Sequence, residues 1–157
     1  MFLLKEYGPL LNTSVPNFHL PDHRKVGYSL EDLMGSAGLV LGFINDIWQP
    51  ASVRRILWLQ NHVNRFSMMG TPVALLVRDQ SHTLYGFQMS SPMPVPFPVL
   101  ADSDGCAHTK YNMDHQPGLL LIDRHFVLRQ KWLMNDERVW PKMQDLVHAA
   151  QALQVFA

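Results

Sequence analysis

Apolar positions along this chain change period repeatedly, and each change marks an element. Leu39-Val40-Leu41-Gly42-Phe43-Ile44 is an almost uninterrupted apolar run bounded by Gly38 and by Asn45-Asp46, as expected of a strand buried on both faces. From Ala51 to Phe66 the apolar residues Val53, Ile56, Leu57, Leu59, Val63 and Phe66 recur at spacings of three and four. That spacing predicts a helix of about four turns, closed by Met68-Met69-Gly70. Thr71 to Val77 reads as a second buried strand, and the order strand, helix, strand predicts a right-handed parallel crossover.

The flanking segments are less regular. Gly8 to Lys25 carries Pro9, Pro16 and Pro21 among Val15, Phe18 and Leu20, which predicts an extended arm over the core rather than a helix. Ser29 followed by Leu30-Glu31-Asp32-Leu33 predicts one helical turn with an acidic relative of the capping box. Asp79 to Met89 fits a helix, and Ser90 to Pro98 an extended loop ending at Val99-Leu100. Asp102-Ser103-Asp104-Gly105 reads as a turn and N-cap before a short helix through Tyr111. Gly118 to Ile122 and Phe126 to Trp132 flank Asp123-Arg124-His125, the pattern of an antiparallel hairpin. Glu137 to Val155 spaces Val139, Met143, Leu146, Val147, Ala150 and Leu153 as a long closing helix. With no repeats or linkers, the expectation is one α/β domain over 1–157 with an arm over about 1–25. Its central mixed sheet combines a parallel crossover with an antiparallel hairpin, flanked by helices.

Composition narrows the function classes. Thirteen basic residues balance 13 acidic ones, so no basic excess exists to displace counterions from a nucleic acid. Zero net charge, four Trp and nine Met admit self-association through an apolar patch, a homodimer among the forms it allows. No stretch approaches the roughly 20 apolar residues of a membrane span, and the N-terminus lacks the pattern of a signal peptide, so no membrane contact and a cytoplasmic location are expected. Cys106 is the single cysteine, which excludes an internal disulfide and a cysteine-based zinc cage. The eight histidines are scattered, His19 and His23 fall in the proline-rich arm, and neither a metal nor another cofactor is expected.

Four segments in order carry a resemblance. Val15-Pro16-Asn17-Phe18-His19-Leu20-Pro21-Asp22 is similar to an "APDFTLPD" opening arm, and Tyr28-Ser29-Leu30-Glu31-Asp32-Leu33 to "VSLSDF". Pro96 to Gly105 is similar to "PFPLLADPDG", and Gln116 to Arg124 to "P-R-T-F-L-I-D-R". Over about nine tenths of its length the chain resembles the alkyl hydroperoxide reductase/thiol-specific antioxidant family, the peroxiredoxins and their thioredoxin-like relatives. The resemblance implies a thioredoxin-like fold, antioxidant oxidoreductase chemistry, dimerisation by edge-strand or helix-face contacts, and a cis bond before Pro117 beside the active site.

The same resemblance places the family's active site between Phe43 and Arg55. Against "W-C-P-P-C-R-R", Trp48 and Pro50 are shared and the pair Arg54-Arg55 follows one residue late, while Gln49 and Ser52 stand for the two cysteines. Against "F-Y-P-x-x-x-T-P-x-C", Phe43 and Pro50 align and Ser52 again takes the cysteine position, with Gln49 for the threonine. The family's activating arginine after the proline is here Gly118. Peroxide reduction needs a thiolate, and a serine hydroxyl has neither the acidity nor a reversible oxidised state. The expected function is therefore a degenerate domain that keeps Trp48, Pro50, Ser52 and Pro117 as a binding surface for a protein or small molecule. The alternative is a monothiol oxidoreductase working through Cys106.

Three features have simpler readings. Cys106 at a helix start is weighed as a small, partly buried hydrophobe, Ser52 as a helix cap, and Asp102 and Asp104 as turn and cap residues. The Met89 to Pro98 loop is balanced between a docking edge and a rigid cover.

Overall fold

A computed structural model describes residues 6–114, 116–134 and 140–153 of the protein. Its centre is β3 (Gly38–Ile44), every residue of which is buried. Leu39, Leu41 and Phe43 face one side of the sheet, Val40 and Ile44 the other, which is why the run is apolar without alternation. α2 (Pro50–Met68) crosses to β4 (Val73–Val77), and α3 (Ser81–Ser90) then leads to β5 (Val99–Ala101). These three strands are parallel, with Ile44 opposite Val77 and Val77 opposite Ala101. α4 (Cys106–Lys110) precedes the antiparallel pair β6 (Gly118–Asp123) and β7 (Leu128–Leu133), and β6 lies antiparallel against β3. The spatial order is β5-β4-β3-β6-β7.

Helices cover both faces. Ile56, Leu59 and Phe66 of α2, Phe87 of α3 and Leu146 of α5 (Met143–Ala152) pack on one side. Leu30 and Leu33 of α1 (Leu30–Leu33), Ala107 of α4, Tyr111 and the arm residue Phe18 pack on the other. Burying one such Leu or Phe contributes about 1.5–3 kcal/mol. Ser29 caps α1 through a complete capping box with Asp32, as its spacing predicts.

One expectation gains detail and another needs correction. The extended arm ends in a small antiparallel hairpin, formed by β1 (His19–Pro21) with β2 (Gly27–Ser29) just beyond it. Its loop is closed by the Asp22 carboxylate, which accepts from the Arg24 and Val26 amides at 2.8 and 3.0 Å. The closing helix starts later than its periodicity suggests, because Pro141 is barred from a helix interior and biases Trp140 away from helical angles. Lys142 becomes the N-cap, and residues 135–139 and 154–157 lie outside the described part.

The arm is held at several points. Tyr111 donates its hydroxyl to the Pro16 carbonyl, and Asn17 accepts from the Leu30 amide at 3.1 Å. Lys131 Nζ donates to the Tyr7 and Pro9 carbonyls, both at 3.0 Å. Among the described residues no helix is long and apolar enough to cross a membrane.

Candidate functional site

The carboxyl ends of β3, β4 and β5 share one end of the sheet, where ligand crevices of open α/β sheets form. The loop from Asn45 to Gln49 leaves β3 at this end and enters α2 at Pro50, whose missing N–H has no role in a first helical turn. Gly118 pairs with Phe43, so Pro117 and Gly118 lie beside the same strand end. The topology thus gathers Trp48, Gln49, Pro50, Ser52, Pro117 and Gly118 into one neighbourhood.

Inside it, the residues differ from their expected roles. Ser52 is not the cap of α2: Gln49 occupies that position, without a side-chain hydrogen bond. Ser52 instead sits inside the first turn, 2 % exposed, on the inward stripe that continues through Arg55, Ile56, Leu59 and Phe66. Proline at the first position displaced the cap toward the N-terminus, which the serine by itself does not reveal. Trp48 points outward, 52 % exposed, with its ring edge-on to Phe87 at 5.3 Å. Arg55 lies buried with its guanidinium 5.7 Å from the Trp140 ring, and its carbonyl accepts from the Trp140 indole N–H at 2.9 Å.

The bond before Pro117 is trans, against the cis bond expected from the resemblance. Trans is the lower-energy isomer even for X–Pro, and the Pro117 carbonyl accepts from the Met134 amide at 2.8 Å. Gly118 has a steric reason. A Cβ there would stand 2.7 Å from the Met113 methyl and 2.9 Å from the Trp132 carbonyl, so this backbone leaves no room for a side chain.

Carboxylates pin the Trp48 loop. Asp79, from the loop after β4, accepts from the Ile47 amide at 2.9 Å, and Asp46 accepts from the Trp48 amide at 2.9 Å. Burial, and then the nearby Asp46 charge, push the Asp79 carboxyl above its ordinary value despite the Ile47 hydrogen bond. Two acids beside the turn oppose the cationic setting that lowers a thiol pKa, although buried Arg55, three residues after Ser52 on the same stripe, supplies positive charge from the helix side. The Oδ1 of Asn45 is buried there without a hydrogen-bond partner.

Cys106 corrects another expectation: it is exposed, not partly buried. Its helix packs through Ala107 on the sheet face opposite α2, so the thiol and Ser52 do not share a pocket. Asp104 accepts from the Cys106 amide at 2.9 Å, while Asp102 accepts from the Ala107 and His108 amides at 3.1 and 2.8 Å. The N-cap of α4 is Gly105, so the two acids are not its cap residues but accept from its first-turn amides from further upstream; Asp102 also binds the His108 ring, a contact the sequence does not announce.

Cavities of about 440, 310, 240 and 200 Å³ are not lined by Trp48, Ser52 or Pro117. The last is a groove between Leu57, Phe87 and Met93, adjoining the ring on which Trp48 rests. Met89 and Met93 are 61 and 68 % exposed, whereas the loop's interior is fixed by the Val95 amide donating to Gln88 Oε1 at 3.0 Å. Among the described residues no three His, Cys, Asp or Glu side chains gather as a metal site.

A five-stranded mixed sheet with this helix placement is the thioredoxin fold of the peroxiredoxin kind, and solved structures agree. The chain superposes on peroxidoxin BcpB from Mycobacterium tuberculosis with a TM-score of 0.79 and 14% identity, over 97% of this chain and 99% of the other. The reduced 2-Cys peroxiredoxin of Plasmodium vivax gives 0.79 at 14% identity, over 92% of this chain and 82% of the other. The yeast mitochondrial 1-Cys peroxiredoxin gives 0.80 at 14% identity, over 93% of this chain and 76% of the other. Residues 11–139 match the AhpC/TSA family, and the chain belongs to that family. No curated protein matches the sequence.

Proposed function

We propose that this protein is a peroxiredoxin-family domain without peroxidase chemistry in the α2 turn, and that its Trp48 face serves as a binding surface. The observation that carries this reading is Ser52, which the resemblance aligns with the family's nucleophile and which is a buried hydroxyl in the first turn of α2. Without sulfur, no sulfenic acid or disulfide can form there. Gly118, closed to any larger side chain, and the carboxylates of Asp46 and Asp79 support the same reading. The half-exposed Trp48 on Phe87, next to the Leu57 and Met93 groove, presents apolar surface of the kind that contacts a protein or a second copy of the chain. A cytoplasmic setting and dimerisation belong to this proposal.

A second reading is favoured by the exposure of Cys106, which leaves its thiol open to solution reagents. One experiment separates the two. The full-length protein is incubated with hydrogen peroxide and a dithiol, peroxide is followed over time, and Cys106 is monitored by intact mass. The binding-module reading expects no saturable peroxide consumption and a thiol no faster than free cysteine. Saturable turnover with an oxidised Cys106 intermediate establishes the monothiol enzyme instead.

A further inference from the structure

Behind the Trp48 loop lies a buried polar pair to which peroxiredoxin chemistry gives no role. His108 and Asp102 are both 0% exposed, with Nδ1 2.6 Å from Asp102 Oδ2. The other ring nitrogen, Nε2, lies 3.0 Å from the Ile44 carbonyl. Phe43 closes the site, its ring edge-on to the imidazole at 5.1 Å. A carbonyl oxygen can only accept, so Nε2 must carry hydrogen for that bond to exist. A carboxylate likewise accepts, so Nδ1 must carry hydrogen for the other. Only the doubly protonated ring satisfies both partners.

The two bonds are unequal. The bond to Asp102 is short and charge-assisted, and charge-assisted hydrogen bonds are roughly twice as strong as neutral ones. A ring with one proton keeps it on Nδ1, facing Asp102. The bare Nε2 then opposes the Ile44 oxygen, lone pair against lone pair, with Phe43 in place of water. Ile44 is the last residue of β3, and the loop to Trp48 begins at the next peptide. Its carbonyl has one other partner, the Arg78 amide at 3.4 Å, which is too long to hold the strand end firmly.

We infer that His108 is a proton-operated latch on the Trp48 loop: the doubly protonated ring holds the Ile44 carbonyl, and loss of one proton to solvent releases it while Asp102 is retained. The surroundings leave His108 and Asp102 as the responsive pair. Tyr111, which stacks on Phe43 at 5.2 Å, donates its hydroxyl to Pro16, and burial pushes its ionisation upward. Arg78 lies with its guanidinium against Gly105. Asp79 and Asp46 act on the loop itself, through the Ile47 and Trp48 amides. Lys110 at the end of α4 and Asp104 in the turn before it are exposed. The latch stands whether or not the Trp48 face binds a partner.

The test uses the full-length protein between about pH 5 and 9. Trp48 emission, isolated by subtracting a Trp48→Phe variant, and exchange of the Ile47, Trp48 and Arg78 amides are followed together. Losing a hydrogen bond to a charged group shifts the opening equilibrium roughly ten- to a hundredfold. Exchange of those amides, corrected for intrinsic base catalysis, is expected to rise by that factor as the ring loses its proton, with a matching step in Trp48 emission. His108→Gln, which retains an amide donor near the Nε2 position but cannot titrate, is expected to remove the step. A step that survives in His108→Gln overturns the latch. If that variant does not fold, nitrogen chemical shifts of the His108 ring in the unaltered protein decide. Two ring protons with an ordered loop at low pH and one with a loosened loop at high pH support it, and a loop unmoved by the ring's change of state refutes it.

Discussion

Placing sulfur back at position 52 probes the non-catalytic reading directly. In a Ser52→Cys, Cys106→Ser protein the only thiol occupies the first turn of α2, on a residue 2 % exposed. Free cysteine, with a pKa of about 8.5, is roughly 3 % thiolate at pH 7. The helix terminus stabilises a first-turn anion by about 0.3–1 kcal/mol, which at about 1.36 kcal/mol per unit lowers the pKa by less than about one unit. Burial acts the other way and can raise the pKa of a fully buried group by about 3–5 units. Asp46 and Asp79 place negative charge beside the same loop, which offsets the positive charge of Arg55 three residues along the helix. The upward effects win, and the thiolate fraction at pH 7 should fall about tenfold or more below that of free cysteine. The assay measures the rate of reaction with a disulfide reagent against pH, and sulfenic acid formation in hydrogen peroxide by trapping and mass. Slow reaction that accelerates only in alkali is expected. A thiol that ionises below free cysteine and oxidises faster would refute the reasoning, since the turn would then retain its activating environment and lack only the sulfur.

Other consequences concern stability. Gly118→Ala should destabilise by about 1–3 kcal/mol, as overpacking does, because the Trp132 carbonyl lies 2.9 Å from the new Cβ; an unchanged thermal midpoint would show that the strands spread freely. Tyr111→Phe strands the Pro16 carbonyl and should lose about 1–3 kcal/mol in urea unfolding, whereas a neutral result would mean that water replaces the hydroxyl. For acid stability, burial works against the charges of Asp102 and Asp123, but hydrogen bonds outweigh it: from His108 and Ala107 to Asp102, and from Arg129, Val127 and His125 to Asp123. Both folded-state values are depressed, so their stabilisation is present above the unfolded value of about 3.9 and is lost as pH falls through the folded values. The urea midpoint should therefore drop between about pH 5 and 2, less steeply in Asp123→Asn, and a midpoint that rises on acidification would reverse the sign.

The periodicity of the chain located the central elements closely. Leu39 to Ile44 and Thr71 to Val77 read as buried strands because side chains on both faces must be apolar, and the strands run over Gly38–Ile44 and Val73–Val77. The α2 stripe was equally clear, since the three-and-four spacing reflects one face packed on a sheet. The β1-β2 hairpin was not, because three-residue strands with a proline carry no usable alternation. The late start of α5 is hidden in the sequence because the apolar spacing runs through Pro141.

Residue identity at the site was legible, and residue environment was not. That Ser52 aligns with the family's nucleophile is what the resemblance implies, and it follows from order along the chain alone. Its burial inside the first turn, the Asp79 contact to Ile47, the His108 bond to Ile44 and the exposure of Cys106 join or separate residues by the way strands and helices stack. Local sequence fixes which groups exist and how the backbone repeats, because propensity and hydrophobic spacing act over a few residues. Only tertiary packing determines which groups lose their water and which face one another, and that exclusion of solvent decides what charge each can carry.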